Sequence, residues 1–260
     1  MSETWGKGTL NNTIGYGQGA CDNTINWGKS QKDSSVAASW SGDTDISGCS
    51  GAAPLAQIDN LNSMEFDGAS DFIDCGDSDI LSFGNGTTDS PFSVSGWVNP
   101  DSLIRFKMVA KFDAPNYEFQ FGTGGSKILA FTLYNQNTSD RIQRSYNTTL
   151  TSTDWQYWVA TYDGSGNPDN IKIYINGVQV GDLSNTVGTY VAMQNTSAPL
   201  FIGKAGNLAN GKIDELAIFN VALTEAEILS IYNATAVVDG VKKTADLSQL
   251  TTPPVAWYRM

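Results

Sequence analysis

The adjacent carboxylates Asp214 and Glu215, set in the apolar run Gly211-Lys-Ile-Asp-Glu-Leu-Ala-Ile-Phe219, are the residues best placed to do chemistry in this chain. On an extended strand neighbouring side chains point to opposite faces, so one of the two must point inward among apolar neighbours. Glu215 shares its parity with Ile213, Ala217 and Phe219; Asp214 shares its parity with Leu216 and Ile218. An inward carboxylate is offset by backbone amides, a cationic partner or a metal ion. Calcium is the hard cation that suits Asp and backbone carbonyls, so Asp214 is the candidate ligand of a structural calcium. The alternative is a hydrogen-bonded carboxylate that fixes a loop.

Other chemistries lack their residues. The 260-residue chain has no histidine, which removes Ser-His-Asp and Cys-His nucleophiles and His-based zinc sites. Cys21, Cys49 and Cys75 are an odd number at no metal-ligand spacing and read as partly buried free thiols, with a Cys49–Cys75 bridge as the alternative. A formal charge of −12, with 15 Lys and Arg against 27 Asp and Glu, argues against a nucleic-acid partner. No catalytic residue emerges, and the chain is expected not to be an enzyme. The opening Met-Ser-Glu-Thr-Trp-Gly has neither a basic nor an apolar leader region, and no run is apolar enough to insert in a membrane.

The elements that must position these residues are strands. Residues 155–181 read as three strands joined by two turns, with Ile171, Ile173 and Ile175 on one face of the middle strand and Lys172 and Tyr174 on the other. Asn176-Gly177 supplies the positive φ of a two-residue hairpin. Alternation recurs at Met64 and Phe66, and at Phe92, Val94, Gly96 and Val98. It recurs again at Phe106, Met108, Ala110 and Phe112 against Lys107 and Lys111, at Tyr117, Phe119 and Phe121 against Glu118 and Gln120, and at Leu129, Phe131 and Leu133. Short strands at close spacing predict an all-β sandwich or barrel. One helix interrupts them: Thr224-Glu-Ala-Glu227 is a capping box, and Ile228, Ile231 and Tyr232 form a stripe expected to lie on a sheet edge or the sandwich end.

Several motifs occur together in order: Ser63-Met-Glu-Phe-Asp-Gly68, Phe92-Ser-Val-Ser-Gly-Trp-Val98, Trp155-Gln-Tyr-Trp-Val-Ala-Thr-Tyr-Asp163, Ile173-Tyr-Ile-Asn-Gly177, Phe201-Ile-Gly203, and Gly211 to Asn220 followed by Ala222-Leu-Thr-Glu225. With them the chain resembles the laminin-G-like jelly rolls of the concanavalin A-like lectin/glucanase superfamily. The resemblance implies a two-sheet antiparallel jelly-roll sandwich with one short helix, and a family that mostly binds glycans or proteins. Its hydrolases carry Glu-x-Asp-x-x-Glu on one strand, a run this sequence lacks. Trp97, Trp155 and Trp158 coincide with family core positions, which implies packing rather than a sugar platform. The loops 163–170 and 135–144 are the rim candidates, and no glycan-binding residue is singled out.

Residues 1–37 carry a repeat with a period of 11. Trp5, Tyr16 and Trp27 fall in register, as do Ile14 and Ile25, each followed or preceded by Gly and Asn turns. Such units are too small to bury their aromatics alone, so they are expected to form an assembly arm that packs on the main domain or on equivalent arms. The arm resembles the amino-terminal segments of tailed-bacteriophage structural proteins. That likeness implies a virion structural protein, a tail- or fibre-associated adhesin or particle decoration, made in the host cytoplasm. Its partners would be other virion proteins, further copies of itself and a host-surface glycan. The alternative is a stand-alone carbohydrate-binding lectin module. The domains are therefore placed at 1–51 (extended arm), 52–235 (jelly roll) and 236–260, a tail docked as an extra strand.

Overall fold

The computed structural model describes residues 55–238 and 241–260. Trp5, Ile14, Tyr16, Ile25, Trp27, Cys21 and Cys49 lie outside the described residues. Two seven-stranded antiparallel sheets pack face to face. The first runs Val178–Gln179, Lys172–Ile175, Gln156–Tyr162, Phe92–Pro100, Asn210–Phe219 and Ala256–Tyr258, with Met64–Asp67 also paired to Asn210–Phe219. The second runs Leu183–Val187, Arg141–Ser145, Leu129–Gln136, Asn116–Thr123, Lys107–Asp113, Leu200–Ile202 and Ile73–Asp74. This is the all-β, two-sheet jelly-roll sandwich with one short helix.

The alternating apolar residues of facing strands make the core. Phe92, Val94, Phe119, Phe121, Phe131, Leu133 and Trp158 are all fully buried in one cluster. Phe92 stacks on Phe83 at 4.2 Å between ring centroids, and Phe106 meets Trp158 edge to face at 5.9 Å. The Trp158 indole donates to Gln156 Oε1 at 2.8 Å, so its one polar atom is satisfied in the interior. Removing a side chain of this size costs about 3–5 kcal/mol.

The first sheet is buried on both faces, which corrects the half-buried reading of its strand at 171–176. Ile171 and Ile173 face the main core, yet Tyr174 on the opposite parity is also buried. The cover is the helix Glu225–Asn233, which lies over the sheet's outer face rather than at its edge. Its capping box is complete, with Thr224 Oγ1 accepting from the Glu227 amide and the Glu227 carboxylate accepting from the Thr224 amide. Ile228 and Ile231 are buried against Trp97 and Tyr157, and Tyr232 stacks on Trp97 at 5.8 Å. Asn176 and Gly177 take φ of 53° and 80°, which closes the hairpin under the helix.

A three-stranded sheet of Gln57–Asp59, Val241–Ala245 and Ala236–Val238 completes the described fold. The end of the chain returns as Ala256–Tyr258, antiparallel to residues 216–218. Tyr258 sits against the half-buried Cys75, whose thiol is pushed up mainly by burial. The first sheet's outer face is thus overlaid by helix and tail. Among the described residues the second sheet carries no such layer along its central strands.

Candidate functional site

At the carboxylate pair the expected alternation fails. Asp214 pairs with Trp97 and Ala217 with Ser95, so two residues, Glu215 and Leu216, oppose Gly96 alone. Glu215 absorbs this bulge at φ 51°. The extra residue returns Leu216 and Ile218 to the main core beside Ile213 and turns both carboxylates to the same outward side, beneath the tail. Neither points into the main core.

Both carboxylates are nevertheless buried and partnered by the overlying segments. Asp214 Oδ2 accepts from Asn60 Nδ2 at 2.7 Å and faces Lys242 Nζ at 3.5 Å. Glu215 Oε2 accepts from the Trp257 indole at 2.6 Å, while Oε1 accepts from Thr244 Oγ1 at 3.2 Å and Arg259 Nε at 3.5 Å. Burial, and next the Asp214 carboxylate beside it, push the Glu215 carboxyl above its ordinary range. Asp214 Oδ1 has no partner among the described residues. Calcium takes six to eight oxygens. One orphan oxygen next to a lysine ammonium falls short of that set, and among the described residues no three acidic or thiol groups converge on a metal position. The residues do not fit calcium; Lys242 and Arg259 supply the positive charge, and Lys242 is itself held over the Trp155 ring at 4.6 Å. The pair clasps the tail to the sandwich.

The second sheet offers a different surface. Its outer face is a groove of about 420 Å³ whose polar lining includes Lys107, Gln120, Thr132, Tyr134, Arg141 and Gln143. Cross-strand register places them in rows, because residues directly opposite in a ladder share a face. Lys107 pairs with Gly122 and Gly122 with Ala130; Gln120 pairs with Thr132 and Thr132 with Gln143; Tyr134 pairs with Arg141. Small residues keep the floor low. At Gly122, φ is 151° and an added Cβ would lie 2.3 Å from the Phe106 carbonyl oxygen.

An aromatic cluster stands at one end. Phe112 and Tyr117 have ring centroids 4.3 Å apart, and each lies about 5.4–6.0 Å from Tyr134. Sequence parity assigns Phe112 and Tyr117 to the core faces of their strands. Register shifts between Lys111 and Phe112, and between Tyr117 and Phe119, release both rings from that alternation. Another shift, between Lys107 and Val109, separates two lysines that parity puts together. Lys107 stays on the groove, whereas Lys111 pairs with Phe119 and is fully buried, its ammonium 2.9 Å from Asp77, 2.8 Å from Ser82 and 3.3 Å from Glu118.

The groove's electrostatics are one-sided. Among the described residues its lining contains neither Asp nor Glu. Burial, with Arg105 nearby, pushes the Lys107 ammonium down to about 8. Tyr134 is pushed up to about 12, chiefly by burial, and its hydroxyl accepts from the Gln120 amide. Arg141 donates to the Thr138 carbonyl. These fixed donors and acceptors beside aromatic rings can hold a polar ligand with an apolar face.

Of the loops expected at the rim, 135–144 contributes Thr138, Arg141 and Gln143 to the groove. A further depression of about 470 Å³ is lined by loop residues of 148–154 together with Tyr146 and Trp155. Trp155 is half-buried there, and Trp97 and Trp158 are enclosed. Sequence reading followed the apolar parity of each strand and passed over the groove, whose signal is the opposite parity: Gln120 and Gly122, then Ala130, Thr132 and Tyr134, then Arg141 and Gln143.

Among known proteins, the profile of the concanavalin A-like lectin/glucanases superfamily, laminin G type, matches residues 67–229. The binding domain of botulinum neurotoxin serotype D/C VPI 5993 is similar at 17% identity and a TM-score of 0.51, over 71% of this chain and 49% of that one. A candidate carbohydrate binding protein from Bacteroides ovatus is similar at 16% identity and a TM-score of 0.49, over 80% and 52% of the two chains. The chain thus spans about half the length of these structures, and at 17% identity the likeness to the neurotoxin domain is one of fold. No curated protein matches. The family match covers well over half of the sequence and agrees with the sandwich, and the chain belongs to the concanavalin A-like lectin/glucanases superfamily.

Proposed function

We propose that the sandwich is a non-catalytic saccharide-binding module whose ligand lies in the groove of the second sheet. The observation that carries this reading is the groove's composition among the described residues: amide, hydroxyl and guanidinium groups in register, rings at one end, and no carboxylate in the lining. Hydrogen-bonding rows suit sugar hydroxyls, and an aromatic edge suits the C–H face of a pyranose. Glycoside hydrolysis needs two carboxylates about 5–9.5 Å apart across the bond, and the lining has none to offer. Titrating an isotope-labelled chain with a bound saccharide should shift amide resonances on the strands carrying Gln120, Thr132 and Gln143. Shifts confined to the depression around Trp155 would move the site elsewhere.

The 11-residue repeat of residues 1–37 supports the second part of the reading, that the arm attaches this module to a bacteriophage particle as an adhesin or decoration and assembles with its own copies. Deleting residues 1–50 should abolish incorporation into particles while leaving the melting transition of the sandwich in place. Normal incorporation of the shortened chain would remove the anchoring role.

A further inference from the structure

We propose that the groove selects an acidic saccharide, one bearing carboxylate or sulfate groups. The inference rests on the saccharide-binding reading and adds the chemical class of the ligand.

Its basis is where the chain leaves positive charge without a partner. Lys111, Arg144, Lys242, Lys243 and Arg259 all pair with carboxylates. Among the described residues Arg105, Lys107, Lys127, Arg141, Lys172, Lys204 and Lys212 form no ion pair, and of these Lys107 and Arg141 are brought together in the groove lining. Arg105 stands at the mouth, its amide bonded to the Gly124 carbonyl. This concentration of cations occurs on a chain of net charge −12, where acidic partners for surface lysines are plentiful.

Desolvating a charge without a counter-charge opposes folding, so a half-buried lysine usually acquires a carboxylate neighbour. Lys107 instead sits over a floor of glycine and alanine beside a second cation. An anion entering the groove would complete it from outside, and a charge-assisted bond there is worth about 1.5–3 kcal/mol, or roughly tenfold to a hundredfold in affinity. A neutral sugar gains only the amide and hydroxyl contacts. The acidic surface elsewhere repels such a ligand, which confines it to the groove.

The pH dependence follows from the groups that face Lys107. Tyr134, pushed up to about 12, stays neutral, so Lys107, pushed down to about 8 by burial with Arg105 nearby, is the group of the groove that loses its charge. Affinity for an acidic ligand should therefore decline as pH rises above about 8, and at any pH should weaken with added salt.

The test is calorimetric titration of the full-length chain with three probes of equal length: an oligogalacturonate, a sulfated galactose oligosaccharide and the neutral galactose oligosaccharide. The two acidic probes separate carboxylate from sulfate recognition. At least one should bind about tenfold or more tighter than the neutral probe. Lys107→Gln and Arg141→Gln should each remove most of that preference without lowering the melting temperature, while Lys107→Arg, which keeps the charge, should retain it. Neutral and acidic probes bound alike, or an acidic preference untouched by both Gln variants, would overturn the charge selection and leave the saccharide reading in place. Failure of all probes to bind would overturn both.

Discussion

Buried carboxylates set the pH response at the scale of single residues. Burial pushes Asp89, Glu118 and Glu215 above the ordinary carboxylate range, against hydrogen bonds from Tyr190 and Tyr162 to Asp89 and the Lys111 ammonium beside Glu118. A carboxyl raised in this way holds its proton in the folded chain at a pH where the unfolded chain has lost it. Stability at such a group is greatest below its unfolded value and declines as pH rises through its folded value. Melting temperature should therefore rise as pH falls toward the ordinary carboxylate range. Asp67 works in the opposite sense: amides of Ser70, Ala69 and Asp71 hold its carboxyl far below the usual range, and its contribution fades only in stronger acid. Thermal melts across this range check the sign, and a maximum at the alkaline end would contradict it. The same melts repeated with a chelator should not shift, because Lys242 and Arg259 supply the positive charge beside Asp214 and Glu215.

Strands and their bulges decide which side chains reach the groove. The apolar alternation of Phe119 and Phe121, or Phe131 and Leu133, announces the core face directly, and the capping box at Thr224 announces the helix. What alternation cannot announce is an extra residue in one strand, because a bulge depends on the pairing between strands rather than on either sequence alone. Glu215, Lys111 and Tyr117 each lie beside such a shift, and each departs from its parity for that reason. The groove residues themselves were legible as the polar parity of the same strands, but nothing local marked that face as open rather than covered. Gly122 is the element's weakest tolerance. Gly122→Ala brings a methyl into the Phe106 carbonyl at a left-handed φ, and should cost about 1–3 kcal/mol. Urea denaturation reads that loss directly, and an unchanged midpoint would show that the strand can shift to admit the methyl.

The sandwich of described residues is asymmetric about its core. One sheet carries a helix and a three-stranded sheet on its outer face and takes the returning end of the chain as its edge strand, and the buried carboxylate pair ties these segments down. The other sheet presents its central strands as a polar groove holding unpaired cations among the described residues of a strongly acidic chain. Folding alone has no use for that arrangement, whereas ligand binding does. The most direct test of the proposed saccharide binding is the affinity of the full-length chain for the tightest-bound of the acidic and neutral oligosaccharide probes before and after the double substitution Gln120→Ala and Gln143→Ala, which removes both amides from the middle row of the groove. The account predicts a loss of about tenfold or more with the melting temperature maintained. Unchanged affinity in a folded double variant would contradict it.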